Sequence, residues 1–165
     1  MPSRYGLART ASGMISGMDH FHSTEAAVTA LRAIASEYGL EIEVTHDIGA
    51  DQTSRRTSAG FGVTTDPDGS LPHEAFAEFG GLPRVSVRLY PEDDALITVE
   101  GIDCPDIARD DVPAFLRSVF DGRAYVKTRR FPPACRLIVP LPGDRTHEEW
   151  ISMIILTPWL NSRIQ

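Results

Sequence analysis

The chain has 165 residues, which is enough for one domain that buries most of its apolar surface. Its formal net charge of −7 disfavours non-specific binding to nucleic acid or to an anionic membrane. No apolar run approaches the roughly 18–20 residues that span a bilayer, and none follows Arg4 and Arg9 as in a secretory signal. We therefore expect a cytoplasmic protein without a membrane partner.

The charge is distributed unevenly. Residues 19–111 contain nineteen acids and six bases, whereas residues 112–165 contain four acids and eight bases. An excess of acidic residues favours binding of a basic partner, although solubility alone would also explain it. Arginine outnumbers lysine fifteen to one, which is typical of a GC-rich bacterial genome. Cys104 and Cys135 lack the CxxC spacing of metal or redox sites, so we expect two reduced thiols.

The N-terminal part begins with residues 1–18, which show no apolar periodicity and are predicted to be a flexible tail. A single domain over 19–165 follows. Ser23 is a helix N-cap residue and Gly39 is typical of a left-handed C-cap, which predicts a helix over 23–38. Its apolar stripe consists of Ala27, Val28, Leu31, Ile34, Ala35 and Tyr38.

Residues 41–48 alternate at period two and predict a strand. Ile42, Val44, His46 and Ile48 share one of its faces. A weaker strand is predicted over 57–65, followed by a turn at Asp66-Pro-Asp-Gly69. Residues 70–83 predict no more than one helical turn, around Phe76 and Phe79.

The next segment predicts a hairpin. Strands over 84–90 and 96–102 flank the turn at 91–95, and residues 103–109 are interpreted as a connector. An amphipathic helix over 110–121 follows, with Asp110 or Asp111 as its cap.

The C-terminal part contains strands over 124–131 and 135–141, joined at Pro132-Pro133. Thr146 to Glu149 resembles a capping box and favours a helix, whereas the isoleucines after it favour a strand over 150–156. We prefer the strand and expect Trp159 and Leu160 to hold the C-terminus against the core.

These elements predict an α+β fold in the order α-β-β-β-β-α-β-β. Strands that follow one another through short connections favour a largely antiparallel sheet, here of about six or seven strands. The two helices are expected to pack on one face of that sheet.

Histidines provide weak signals for a metal site. His20 and His22, with Glu25, form the only HxH pattern, but the stretch leads into a helix cap. His46 is expected to be a half-buried histidine bonded to backbone, and His73-Glu74 a loop pair. The sequence contains no recognised catalytic or nucleotide-binding motif. We therefore assign no metal, cofactor or catalytic residue.

A basic and aromatic strand face offers an alternative site. Arg123, Tyr125, Lys127 and Arg129 alternate along one face and could bind an anion, stack bases or contact a protein. Arg136 and His147 would complete such a site in a small enzyme or anion-binding module. Pairing with acids of the same sheet, such as Glu100, would explain the same strand without any ligand.

The absence of catalytic motifs and the acidic charge together favour a non-enzymatic binding protein. An immunity or inhibitor protein that covers a basic toxin or nuclease would have these properties. Nucleic acid is not the expected partner, and the sequence does not indicate the oligomeric state. The acidic residues expected to form the contact surface are Glu92, Asp93, Asp94, Asp103, Asp106, Asp110 and Asp111.

Overall fold

A computed structural model describes residues 20–47, 65–130, 134–152 and 156–165. Within these ranges it contains three helices and eight strands in two antiparallel sheets. The α+β class is therefore confirmed. The order of the elements is confirmed in outline, with five described strands before the second helix where four were predicted, and three after it where two were predicted. The predicted tail, the strand over 57–65 up to residue 64, and the Pro132-Pro133 connection lie outside the described residues.

Helix α1, Thr24–Tyr38, has the predicted bounds and caps. Ser23 Oγ accepts from the backbone N–H of Ala26 at 3.1 Å, and Gly39 ends the helix at φ 65°. Glycine reaches this left-handed conformation without the steric cost that a Cβ imposes. The predicted apolar stripe faces the core, so the local signals at both ends agree with the packing of the helix.

Helix α2, Val112–Phe120, follows a 3₁₀ turn at Arg109–Asp111. The predicted aspartate cap is wrong, because no side chain accepts a cap hydrogen bond at this N-terminus. Asp110 and Asp111 instead bind His20 and Arg145. A third, short helix, α3, covers Pro158–Asn161.

The first sheet is a five-stranded antiparallel meander. Each strand pairs with the next strand along the chain. The strands are β1 (Ile42–Asp47), β2 (Glu74–Phe79), β3 (Val85–Leu89), β4 (Asp94–Val99) and β5 (Ile102–Ala108). Two predictions are wrong here: residues 70–83 include the strand β2, and residues 103–108 of the predicted connector belong to β5. The small side chains of Ala75 and Ala77 carry little hydrophobic signal, which concealed the period-two pattern of β2.

The β4–β5 hairpin replaces the single strand predicted over 96–102. Glu100 and Gly101 both have positive φ, 52° and 83°. Two adjacent residues with positive φ form the tight turn that matches the twist of an antiparallel hairpin. Glu100 also accepts the N–H of Arg84 at 2.7 Å, which secures the turn against the start of β3.

The second sheet has three antiparallel strands, β6 (Tyr125–Arg129), β7 (Ala134–Leu141) and β8 (Arg145–Ile151), in that order. β8 includes the stretch whose capping-box pattern favoured a helix, so that alternative is wrong. Of the strand preferred over 150–156, residues 150 and 151 belong to β8, and residues 153–155 lie outside the described residues. The prediction of one sheet is corrected to two, because β6, β7 and β8 pair with one another. Helix α2 precedes this sheet in the chain and packs against β7.

One hydrophobic core joins both sheets and the helices. It contains the inward residues of the β3–β4 hairpin and also Leu160, which holds the C-terminus in place as predicted. Cys104 and Cys135 are free and buried within it, as expected, and burial raises the pKa of the Cys104 thiol to about 12. None of the helices in the described ranges is long and apolar enough to cross a membrane.

The two main helices should each depend on a central core residue. We expect Leu31→Ala and Phe115→Ala each to lower the free energy of unfolding by about 2–5 kcal/mol, because both side chains are fully buried. Urea denaturation measures the loss. Leu82→Ala is the control, since that leucine is 77% exposed and should change stability by no more than about 0.5 kcal/mol. Equal midpoints for all three variants would contradict the packing described.

Candidate metal centre

Three side chains from separate elements meet at the N-terminal end of α1. Glu25 lies in the first turn of the helix, His46 near the end of β1, and His73 just before β2. His46 pairs across the sheet with Ala75, two residues beyond His73. Side chains two positions apart on a strand share a face, so the two histidines are diagonal neighbours on the face that α1 covers.

The ligand atoms of the three groups are close together. His46 Nδ1 lies 2.9 Å from His73 Nε2, and Glu25 Oε1 lies 3.5 Å from each nitrogen. Zinc bonds of roughly 2.0–2.1 Å in tetrahedral geometry place neighbouring ligand atoms about 3.3 Å apart. The observed separations lie on either side of this value, so these atoms are placed to share one ion. The two nitrogens can also share a single hydrogen bond.

The ring orientation of His73 is fixed by the backbone. Its Nδ1 lies 2.7 Å from the carbonyl oxygen of Leu71. A carbonyl only accepts, so Nδ1 carries a hydrogen, and in the neutral ring the lone pair on Nε2 then faces His46 and Glu25. Histidines that bind metals commonly donate their second N–H to a carbonyl or carboxylate in this way.

The segment that carries His73 is bound to the start of α1. Thr24 Oγ1 donates to the carbonyl of His73 at 2.8 Å, and Ser23 Oγ donates to Asp68. Asp68 Oδ1 also accepts from the N–H and hydroxyl of Ser70, at 2.9 and 2.6 Å. These contacts fix the spacing between Glu25 and His73, because Glu25 directly follows Ser23 and Thr24 in the helix.

The three ligands differ in their exposure to solvent. The side chain of His73 is 4% exposed, that of His46 is 22% exposed and that of Glu25 is 45% exposed. The centre is therefore closed on the side of His73 and open on the side of Glu25.

The sequence analysis grouped only one of these three ligands with other candidate metal ligands. Of His20, His22 and Glu25, only Glu25 lies in it, whereas His20 Nδ1 binds Asp110 Oδ2 at 2.6 Å. The ring of His46 contacts His73 where a backbone partner was expected. The alternation over residues 74–79 could have identified β2, but not its register with β1, because a long connection separates the two strands.

The predicted acidic surface is partly neutralised within the chain. Asp93 pairs with Arg109 at 3.0 Å, Asp110 with His20, and Asp111 accepts two bonds of 2.7 Å from Arg145. Of the other predicted residues, Glu92, Asp103 and Asp106 are exposed and Asp94 is half-buried, and Asp103 accepts the Thr98 hydroxyl at 2.8 Å.

The basic strand forms a face that spans the second sheet. Lys127, Arg136 and Trp150 are cross-strand neighbours in one row. Tyr125 and Arg129 share the face of Lys127, because strand positions two apart point the same way. Arg136 lies over the Trp150 ring at 3.9 Å from its centroid and binds Glu148 at 2.9 Å. The expected pairing with Glu100 is absent from the described part of the chain, since that side chain is buried against Arg84.

The other two residues predicted for the anion-binding site, His147 and Arg123, lie away from this row. His147 points to the opposite face of the second sheet, toward the core, with its ring edge-on to Phe115 at 5.7 Å. Burial lowers its pKa from the ordinary value. Arg123 pairs with Asp121 at 3.3 Å. The structure therefore does not bring His147 together with Arg136 and Arg129 in one pocket.

No family model, curated protein or solved structure matches this chain. The choice among these surfaces therefore depends on their chemistry. The Glu25, His46 and His73 centre is a convergence of metal-ligating atoms on a backbone that its neighbours hold in place.

The contacts of Asp68 predict a pH-dependent contribution to stability. Hydrogen bonds from Ser23 and Ser70 hold the pKa of Asp68 at about 2, below its ordinary 3.8. A carboxyl with a depressed pKa stabilises the fold above its unfolded pKa and loses that contribution as pH falls through the folded value. We expect Asp68→Ala to destabilise the protein at neutral pH, with the difference from wild type shrinking between about pH 4 and pH 2.

Urea denaturation over a pH series measures this difference. Glu92→Ala, in an exposed turn, is the matched control and should cost little at any pH. A cost for Asp68→Ala that stays constant down to pH 2 would show that the carboxylate charge does not hold the segment.

Proposed function

We propose that this protein binds a divalent transition-metal ion through Glu25 Oε1, His46 Nδ1 and His73 Nε2. The supporting observation is the approach of these three atoms to within 3.5 Å of one another, with the His73 tautomer set by Leu71. Two histidines that merely meet at a surface need neither a buried ring, nor an oriented tautomer, nor a carboxylate beside them. All three features occur together at this site.

The donor set favours an ion of the zinc class. Two imidazole nitrogens suit zinc, iron, nickel or copper, whereas magnesium and calcium prefer oxygen ligands throughout. No thiolate takes part, because Cys104 and Cys135 are buried in the core. In this proposal the protein works in the cytoplasm and binds its ion with nitrogen and oxygen ligands alone.

Zinc titration of the metal-free protein, with a chromophoric chelator as competitor, tests the proposal. We expect one ion per chain, and His46→Gln or His73→Gln should weaken binding by at least about tenfold, since each removes one of few ligands. Magnesium in excess should not compete. Thermal unfolding without metal establishes that each variant is folded.

His22→Gln is the matched control, because that histidine is exposed and lies three residues from Glu25 without joining the cluster. It should bind zinc as wild type does. Equal affinity for His22→Gln, His46→Gln and His73→Gln would place any bound zinc elsewhere and would reject this centre.

A second candidate function is recognition of a basic protein partner, as an immunity or inhibitor protein would perform it. The observation that favours it is a direct cross-strand pair of like charges, Glu43 opposite Glu78, on the outer face of the first sheet. Like charges in such positions are unfavourable for the isolated fold. A groove of about 560 Å³ contains this pair, together with Glu41, Glu100 and Arg84. A cationic side chain of a partner would relieve the repulsion.

If the second candidate is correct, repulsion between Glu43 and Glu78 lowers the free energy of unfolding of the free protein. We expect Glu43→Gln with Glu78→Gln to raise the free energy of unfolding by about 0.2–1 kcal/mol at low salt, with the gain shrinking as salt screens the repulsion. Urea denaturation at two salt concentrations measures it. A double variant that is less stable than wild type would show that the pair is compensated within the chain and is not held ready for a partner.

A further inference from the structure

We infer that an ion at the Glu25, His46 and His73 centre keeps a coordination position for an exogenous ligand, a water molecule or a small anion. The inference rests on the proposed metal site and concerns what that site does. It distinguishes a Lewis-acid centre, at which a ligand can exchange, from an ion that only links parts of the fold.

The number of protein donors is the first argument. Among the described residues, the group of histidine, cysteine and carboxylate atoms close enough to share an ion contains three members. Structural zinc sites are closed by four protein ligands, often with cysteine among them, whereas sets of two histidines and one glutamate leave a position for water or substrate. The donors found here match the second type in number and in kind.

The direction of access is the second argument. His73 and Thr24 are buried and close the inner side, and Thr24 is bonded to the His73 carbonyl. Glu25 is the most exposed of the three ligands. Solvent therefore reaches the ion from the glutamate side, which is where an exchangeable ligand would bind.

The charge of the centre defines the class of ligand. A divalent ion with one carboxylate and two neutral imidazoles carries a net charge of about +1, because only the glutamate offsets the metal. Such a centre attracts hydroxide, azide or the anionic oxygen of a carboxylate or phosphate. An ion of this kind also makes its bound water a stronger acid than bulk water.

Cobalt is the appropriate probe, because its visible absorption reports the number and type of its ligands. The full chain is loaded with one equivalent of Co²⁺ and titrated with sodium azide, and the amount of bound cobalt is measured after each step. We expect the visible bands to shift in a saturable manner while the cobalt stays bound.

The controls distinguish a failure of this inference from a failure of the proposed metal site. If cobalt binds but azide leaves the spectrum unchanged, the coordination is closed and the inference is overturned, while the proposed function stands. If cobalt does not bind the wild type, or binds equally well to His46→Gln and His73→Gln, the proposed site fails and the inference fails with it. His22→Gln should reproduce the wild-type azide titration.

A count of imidazole ligands gives a second, independent readout. X-ray absorption of the zinc-loaded chain should show nitrogen and oxygen ligands with the outer-shell scattering of two imidazoles. A third imidazole would add a histidine donor and overturn the three-ligand centre, even if the affinity for zinc were high.

Discussion

The antiparallel register between β1 and β2 is the constraint on which the candidate centre depends. It sets Asp47 opposite Glu74 and so makes His46 and His73 diagonal neighbours. A shift of one residue would turn one histidine to the other face of the sheet, because strand side chains alternate. The hydrogen bond from Thr24 to the His73 carbonyl then fixes this pair against the first turn of α1, which supplies Glu25.

The charges of the chain serve two different purposes. Several carboxylates on the 3₁₀ turn and the hairpin tip are satisfied within the fold, as the Asp111–Arg145 and Asp93–Arg109 pairs show. Glu43 and Glu78 instead oppose one another on a solvent-facing surface. An acidic composition alone therefore does not locate a binding surface. The cross-strand arrangement distinguishes carboxylates that hold the fold together from those that repel each other.

The candidate metal centre and the basic face differ in how firmly the fold holds their side chains. Arg136 and Trp150 stack in the open, where solvent weakens the attraction between a guanidinium and a ring. His73 is enclosed, and its Nδ1–H donates to the carbonyl of Leu71. Burial makes such orientation energetically costly to lose. For this reason the geometry supports the histidine centre as the site with defined chemistry.

Local patterns in the sequence determined the parts of this protein that short-range physics controls. Ser23 and Gly39 set both ends of α1, and alternation in β1 and β6 predicted which side chains share a face. The strand β2 escaped prediction because its inward alanines are small, and the two sheets could not be told from one because strand partners are chosen by long-range packing. Without the β1–β2 register, His46 and His73 were separate histidines twenty-seven positions apart. Only the tertiary structure decided that they meet, since a site built from three elements depends on pairing and burial that no local pattern encodes.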